Sequence, residues 1–312
     1  MKRQRIYLLL FPALLLVSGC SDSEQSEPEQ VPIELHAQGD ATVETKADAD
    51  QAITKAFGTT VFASMRSGDY TGLTSPANAK EWKIDTEVQT NGTVPLSGNP
   101  TYPENGDWLY LIAVAPKASS YSGNDGKVTY TLTGQTDLMY ASQISGNRWD
   151  GNHFVPLTYK HLLTQLTFKA MKKVTGGLTV KVKKITVTTT NSVTLALTDG
   201  ETSFSGSGEL FLELPDDGTE ISGTTATSLS NSLLLPPLTG TSDAYKLTVE
   251  TSIGTFKDLE ITAQSDGGNL SFAGGTSHEI TLNIGDKELG ISSVTVSEWV
   301  PVVKNDDLNL VE

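Results

Sequence analysis

Apolar and polar residues alternate along much of the chain, and this alternation predicts many short β-strands. Residues 127–132 show it clearly, because Val128, Tyr130 and Leu132 alternate with one lysine and two threonines. Residues 108–115 form the most apolar stretch beyond the N-terminal region, which is typical of a central strand. Because turn residues separate such segments about every ten residues, the sequence predicts an all-β protein with a β-sandwich architecture.

Further strands follow from the same pattern. We predict them at residues 59–63, 137–141, 153–157, 178–182, 185–189, 193–197, 210–214, 229–235, 245–250, 259–263 and 280–284. Residues 159–170 should run from a short turn into a strand, and residues 91–105 are predicted to be a surface loop. The alternation places six side chains on inward faces, where we expect burial: Leu111, Val128, Leu166, Phe168, Val249 and Leu282.

The first 20 residues have the pattern of an export signal. Lys2, Arg3 and Arg5 precede an apolar run at residues 6–17, which is too short to span a bilayer. The run closes on Cys20, and this ending resembles the lipobox of bacterial lipoproteins. The resemblance implies that lipid, with palmitate expected, is attached to the Cys20 sulfur and that cleavage makes Cys20 the first residue. A plain secretory signal with an incidental cysteine is the alternative.

Composition limits what the rest of the chain can do. Loss of the three basic residues of the signal would leave 19 basic residues against 37 acidic ones, a net charge of about −18, so nucleic acid is not an expected partner. Cys20 is the only cysteine, which excludes an internal disulfide, a cysteine metal site and a thiol catalyst.

The length suits two domains at about 150 residues each. Residues 21–30 are polar and acidic and are predicted to be a tether. A β-sandwich at residues 31–158 should follow, then a second one at residues 159–312, meeting near residues 157–163.

The first strand after the tether is followed by a segment that a protease could cut. Val31, Ile33 and Leu35 alternate with polar residues and proline, as in a half-buried strand, and Pro32 suits an edge position. Residues 39–50 are small and acidic and contain Lys46 followed by Ala47. A basic residue in a loose loop is open to trypsin-like cleavage. The alternative is an ordinary solvated lysine in a linker.

Several motifs, taken in order, carry a resemblance over essentially the whole chain. They are the lipobox, the early strand followed by Thr45-Lys-Ala, Asp137-Leu-Met-Tyr-Ala, Tyr159-Lys-His-Leu-Leu-Thr-Gln-Leu-Thr-Phe, and Ile280-Thr-Leu-Asn-Ile with a close at Trp299. In this order they resemble the fimbrillins, the shaft and tip subunits of type V pili. The resemblance implies two tandem transthyretin-like β-sandwiches. It also implies a surface precursor from which a trypsin-like protease removes the first strand, so that the C-terminal strand of another subunit can replace it.

The resemblance leads to specific expectations for maturation and assembly. Cleavage between Lys46 and Ala47 would free the strand of Val31, Ile33 and Leu35, with Lys55 and Arg66 as other cleavage candidates. Those two are less favoured because each borders a predicted strand. Residues 300–312, with Leu308 and Leu310, suit a donor strand, or else they are the molecule's own last strand. The expected partners are other pilin subunits, the protease and the outer membrane, with the precursor surface-exposed there and the product in the pilus.

Catalytic and cofactor signals are weak. The four histidines lack metal-ligand spacing, and Gly206-Ser-Gly208 lacks the third glycine of a dinucleotide loop, so we expect no metal, no cofactor and no enzymatic activity. Two other functions stay open, namely a surface glycan-binding lipoprotein that is not polymerised and, less favoured, a small hydrolase. Tryptophans can stack on sugar rings, although they more often belong to the core, and Trp82, Trp108, Trp149 and Trp299 are the ones present.

Overall fold

The computed structural model describes residues 30–39, 53, 55–75, 80–150, 154–174, 179–238, 240, 244–262, 271–285 and 289–298. The signal with Cys20, most of the tether, the cleavage pair Lys46 and Ala47, and the tail with Leu308 and Leu310 lie outside these residues. Within the described ranges the regular secondary structure is entirely β, which confirms the predicted all-β class. No described segment folds into a helix of the length and apolar character that crossing a membrane requires.

Twenty strands are described, and their order along the chain is simple. They are β1 (Leu35–Gly39), β2 (Phe57–Ser64), β3 (Trp82–Val88), β4 (Thr93–Val94), β5 (Leu109–Ala115), β6 (Tyr121–Ser122), β7 (Lys127–Thr131), β8 (Met139–Gly146), β9 (Leu157–His161), β10 (Thr164–Lys172), β11 (Val180–Thr189), β12 (Ser192–Ala196), β13 (Thr202–Ser205), β14 (Gly208–Leu212), β15 (Thr219–Ile221), β16 (Thr227–Leu235), β17 (Ala244–Thr251), β18 (Gly254–Thr262), β19 (Thr276–Ile284) and β20 (Leu289–Glu298).

These strands form four sheets. The first has the order β3-β2-β5-β8-β9-β1-β4. Strand β5 is internal, as predicted, and β1 is internal as well, although Pro32 had suggested an edge position for it. The second has the order β16-β10-β19-β20, and the third the order β14-β11-β17-β18 with β15 also paired to β11. The fourth has the order β13-β12-β7-β6. Most pairs are antiparallel, but β1 runs parallel to β9 and β10 runs parallel to β19.

The buried apolar side chains of the described residues form two clusters that hold the sheets together. The N-terminal cluster is built from one face of the first sheet and includes Ile33, Leu35, Trp82, Leu111 and Tyr159. The larger main cluster collects buried side chains from all four sheets. Shared burial of this kind is what sheets packed face to face produce, because their inner faces interdigitate.

The division after residue 158 stays a prediction, and the fourth sheet crosses it. Strand β7 pairs with β12 from Thr131↔Ser192 to Lys127↔Ala196. The transthyretin-like arrangement of the strands likewise stays a prediction. All six residues predicted to be buried are at most 1% exposed.

Some predicted bounds are wrong. Residues 154–156 are outside any strand, and β9 begins only at Leu157, because Pro156 has no amide hydrogen to add to a ladder. Tyr159 to His161, expected as a turn, belong to β9. The strands expected at residues 178–182 and 185–189 are one strand, β11, and neither β3 nor β20 was predicted.

Candidate functional site

The first strand lies in a slot between two neighbours. On one side β1 runs parallel to β9, with Ala37 opposite Leu157 and Gly39 opposite Tyr159. On the other side it runs antiparallel to β4, with Leu35 opposite Val94. We call the space that residues 31–39 occupy the β1 slot. A strand held on both edges leaves two rows of unpaired backbone groups when it departs.

Backbone hydrogen bonds extend the slot beyond the two short ladders. The Ala37 amide donates to the Gly92 carbonyl at 2.7 Å, and the Ile33 amide donates to the Pro100 carbonyl at 2.9 Å. The Tyr102 amide donates to the Val31 carbonyl at 2.9 Å. The segment predicted as a surface loop at residues 91–105 therefore forms one wall of the slot. In the sequence, an apolar residue such as Val94 was the only indication that this segment packs against the first strand.

Pro32 does not sit in an edge strand. It lies before β1 and makes an isolated antiparallel bridge with Thr101, while β1 itself is internal to its sheet. Proline is compatible with this place because it lies outside the main ladder, where its missing amide hydrogen is not needed.

The side chains of the slot segment supply an apolar face. Ile33, Leu35 and Ala37 are 6%, 2% and 7% exposed and belong to the N-terminal cluster, and Val31 packs against that cluster from a half-buried position. Glu34 and His36 point to solvent between them. The predicted alternation of the first strand is thus confirmed, although the ladder itself begins at Leu35.

A pocket of about 470 Å³ opens where β1 ends. Gly39 lines it together with apolar residues that include Ile53, Phe57 and Tyr159. Burial raises the pKa of the Tyr159 hydroxyl well above its usual range, and Thr59 Oγ1 lies 2.7 Å from that hydroxyl. Gly39 is both the last residue of β1 and part of the pocket lining, so the pocket adjoins the end of the slot.

The same pocket contains a His161–Asp137 pair, with Nδ1 of the histidine 2.8 Å from Oδ1 of the aspartate. Such a pair could orient a base for a nucleophile. The pocket lining, as described, includes Thr136 but neither serine nor cysteine. Among the described residues, no group of three or more His, Cys, Asp or Glu side chains is placed to hold a metal ion. The absence of enzymatic activity stays a prediction.

Comparison with known proteins decides the family. A fimbrillin-like family model matches residues 31–299, which span the slot and all four sheets. The chain belongs to the fimbrillin-like family. No curated protein sequence matches this fimbrillin-like chain at a significant level.

Solved structures share the fold of this fimbrillin-like protein. A candidate cell adhesion protein from Bacteroides uniformis is 16% identical, covers 85% of this chain and 98% of its own, and gives a TM-score of 0.57. Another from Bacteroides ovatus is 16% identical, covers 88% and 100%, and gives 0.56. A fimbrial protein from Bacteroides vulgatus is 16% identical, covers 85% and 99%, and gives 0.47. At these identities the first two matches show a shared fold.

The structure places two of the three cleavage candidates of the fimbrillin-like chain. Lys55 is exposed, lies two residues before β2 and lines the pocket. Arg66 follows the end of β2, and its Nη1 lies 2.6 Å from Oδ2 of Asp69. Because β2 is an internal strand of the first sheet, a cut at Arg66 would separate that strand from the rest of the chain.

Proposed function

We propose that this fimbrillin-like protein is a structural or adhesive subunit of a surface pilus, assembled by exchange of its first strand for a strand of another subunit. The observation that carries the proposal is the β1 slot. A short segment near the chain start fills an internal position of a sheet, with three buried side chains and backbone partners on both edges. A vacated internal position is a template for β-strand addition.

The energetics favour replacement over an empty slot. Burial of an Ile or Leu side chain contributes about 1.5–3 kcal/mol, and each backbone hydrogen bond a further net ~1 kcal/mol. Loss of the segment would expose the apolar trough that Ile33, Leu35 and Ala37 now fill. It would also leave the carbonyls of Gly92 and Pro100 without their present amide donors. An incoming strand restores both contributions.

Maturation would proceed from the precursor in three steps. Lipid on Cys20 would hold the exported protein at the outer membrane, on the cell surface. A trypsin-like protease would then cut between Lys46 and Ala47, downstream of the slot segment, and release it. Lys55 remains a candidate because it is exposed, whereas a cut at Arg66 would also detach β2 and its fully buried Val61 and Phe62.

The incoming strand would come from the C-terminal tail of another subunit. Residues 300–312 include Leu308 and Leu310, two apolar residues at the spacing that places side chains on one face of a strand. This spacing matches Ile33 and Leu35, or Leu35 and Ala37, in the slot. Other pilin subunits are therefore the proposed partners, and the pilus is the proposed location after processing.

A surface glycan-binding lipoprotein that is not polymerised is the second candidate. The observation that favours it is the exposed indole of Trp149, which is 69% accessible, whereas Trp82 is a buried core residue. The two candidates differ in one measurable property, because only the first requires the β1 slot to be vacated.

The test is polymerisation in the native host. The parent should form SDS-resistant ladders, while Lys46→Ala and a chain that ends at Lys304 should both stay monomeric. Lys55→Ala is the matched control, because it removes a neighbouring exposed lysine, and it should polymerise like the parent. Sequencing of the surface protein should give Ala47 as the first residue.

Each outcome has a separate meaning. Normal ladders from Lys46→Ala together with loss of ladders in Lys55→Ala would move the processing site to Lys55. A parent that never polymerises would contradict strand exchange. Cys20→Ser should abolish membrane fractionation or signal processing, and a variant that is still processed and still fractionates with the outer membrane would refute lipid anchoring.

A further inference from the structure

A large aromatic ring stands exposed on the surface at one end of the first sheet. Trp149 is 69% accessible, which is the largest exposure among the large hydrophobic side chains of the described residues. It follows β8 by three positions, in a loop that faces the loop ahead of β5. A ring exposed to this extent presents an apolar face with a polar N–H edge, which is the kind of surface that an aromatic binding contact uses.

The ring lies against the backbone of the facing loop. An ideal Cβ built on Gly106 would lie 1.5 Å from Cζ3 of Trp149, so the six-membered part of the indole rests directly on the Gly106 backbone. Gly106 also has a φ of +76°, a conformation that favours glycine. Only glycine therefore fits at position 106 while the ring keeps this place.

Hydrogen bonds fix the two loops that form this contact. The amides of Trp149 and Asp150 both donate to Oδ1 of Asn147, each at 2.9 Å. Nη1 of Arg148 donates to the Glu104 carbonyl at 3.0 Å, which ties one loop to the other. A platform built in this way is preorganised, so a ligand does not pay to order it.

The surroundings of the ring are polar. Asn105 and Asp107 flank Gly106 in sequence, are exposed, and are joined by a 2.6 Å hydrogen bond from Nδ2 to Oδ2. Glu104 is exposed as well, and Arg148 and Asp150 flank Trp149. Amide, carboxylate and guanidinium groups are the donors and acceptors that pair with hydroxyl groups.

We propose that the ring of Trp149, seated on Gly106 and surrounded by these polar side chains, is a binding platform for a neutral pyranose sugar. One face of such a sugar carries contiguous C–H groups that pack on an aromatic ring, and its edge carries hydroxyl groups that need polar partners. The exposed ring and its polar surroundings match both requirements. The free face of the indole takes the C–H face, and Asn105, Asp107 and Arg148 lie in the loops that reach the hydroxyl edge.

The charge around the platform selects the class of sugar. Glu104, Asp107 and Asp150 are three carboxylates in these two loops, against one guanidinium on Arg148. Like charges at such a surface repel, so a sialic or uronic acid is disfavoured. An exposed tryptophan can also serve as the anchor of a protein interface, and the test below separates that outcome from sugar binding.

The test uses the purified full chain on an array of neutral and sialylated oligosaccharides, followed by titration calorimetry with the strongest neutral oligosaccharide. The parent should bind neutral galactose- or glucose-containing oligosaccharides and not their sialylated forms. Trp149→Ala should weaken binding by about tenfold or more. Gly106→Ala should weaken it similarly although the tryptophan is still present, because the new methyl group displaces the ring.

Two variants serve as controls, and three results would overturn the proposal. Trp149→Phe keeps an aromatic face and should retain most of the affinity. Val174→Ala removes another exposed apolar side chain, 56% accessible, and should change nothing. The proposal fails if the parent binds no neutral oligosaccharide, if only sialylated forms bind, or if Trp149→Ala binds as the parent does. Loss of pilus ladders in Trp149→Ala with unchanged sugar binding would identify a protein contact instead. None of these readouts depends on cleavage or strand exchange.

Discussion

Two pairs of the described strands are parallel, and they differ greatly in how firmly the earlier strand is held. In the first sheet β1 faces β9 over three residue pairs and β4 over two. In the second sheet β10 faces β19 over eight residue pairs, from Gln165↔Ser277 to Lys172↔Ile284, and β16 over six. Both earlier strands are internal to their sheets, but only β10 is locked along its whole length.

The difference shows how one fold can contain both a permanent and a replaceable strand. Every second residue of β10 is buried from Thr164 to Lys172, so its loss would open the main cluster. The slot segment contributes only a few buried side chains to the smaller N-terminal cluster. Local stability varies in this way across most proteins, and moving parts come from the least stable regions.

The largest expected effect is the loss of stability when a buried side chain is truncated to alanine, and it should differ between the two strand pairs. Phe168→Ala in β10 should lower the free energy of global unfolding by about 3–5 kcal/mol, because the side chain is almost completely buried in the main cluster. Leu35→Ala should lower the free energy of global unfolding by less. Once the β1 segment has detached, residue 35 no longer contributes to the stability of the remaining protein. The loss therefore cannot exceed the free energy that holds the segment in its slot. Urea denaturation of both variants measures the contrast.

Hydrogen exchange supplies the control for that prediction. In Leu35→Ala the amides of β9 and of residues around Tyr102 should exchange faster, while those of β19 should match the parent. If Leu35→Ala unfolds the whole protein as readily as Phe168→Ala does, β1 is not a separately replaceable element.

Sequence alone identified the faces of these strands but not their neighbours. Alternation marked Leu166 and Phe168 as buried, and it marked Ile33 and Leu35 as one face of a strand, because side-chain direction in a strand is a local property. The pairing of β1 with β9 joins residues about 120 positions apart, and alternation carries no information on such a partner. The missed strand β3 did carry the local signal, since Trp82, Ile84 and Val88 alternate with charged residues.

The second prediction uses a fully buried histidine of the firmly held pair. His278 lies in β19 opposite Leu166, is fully buried against Phe272, and burial lowers its pKa to about 4. Because the unfolded chain takes up this proton near pH 6.5, stability should fall as the pH drops from about 6.5 to about 4 and should be unaffected above that range. The loss amounts to about 3 kcal/mol.

Urea denaturation of the parent and of His278→Leu at pH 7.5, 5.5 and 4.0 tests this. The difference in stability between the two proteins should change with pH in favour of the variant as the solution becomes more acidic. The slot segment itself has no buried histidine, since His36 is exposed. A constant difference at all three values would show that His278 does not impose the acid sensitivity.

Candidate-site residues were harder to predict than strands. Gly92, Pro100 and Tyr102 lie in a stretch rich in glycine, proline and asparagine, which is typical of a solvent-exposed loop. They contribute to the slot through backbone groups, and backbone donors and acceptors leave no mark on side-chain type. Trp149 was one of four tryptophans considered for sugar stacking, but its contact with Gly106 could not be predicted, because the two residues are about 40 positions apart.

The smallest expected effect compares two glycines with the same backbone conformation, one packed against β1 and one against a firmly paired strand of the third sheet, β11. Gly92 has a φ of +78°, and a Cβ there would lie 2.7 Å from the Ala37 carbonyl oxygen of β1. Gly218 has a φ of +77°, and a Cβ there would lie 2.5 Å from the Val182 carbonyl oxygen of β11. Each Gly→Ala substitution should cost about 1–2 kcal/mol from backbone strain, plus the collision. In the uncut protein both variants should therefore be less stable than the parent.

After removal of the slot segment the collision at residue 92 disappears, so Gly92→Ala should speed release of the cut segment while Gly218→Ala releases it at the parental rate. The measurement is the release rate of the N-terminal fragment after proteolytic cutting, followed by mass spectrometry. Equal rates in the two variants would mean that Gly92 does not contribute to retention of β1.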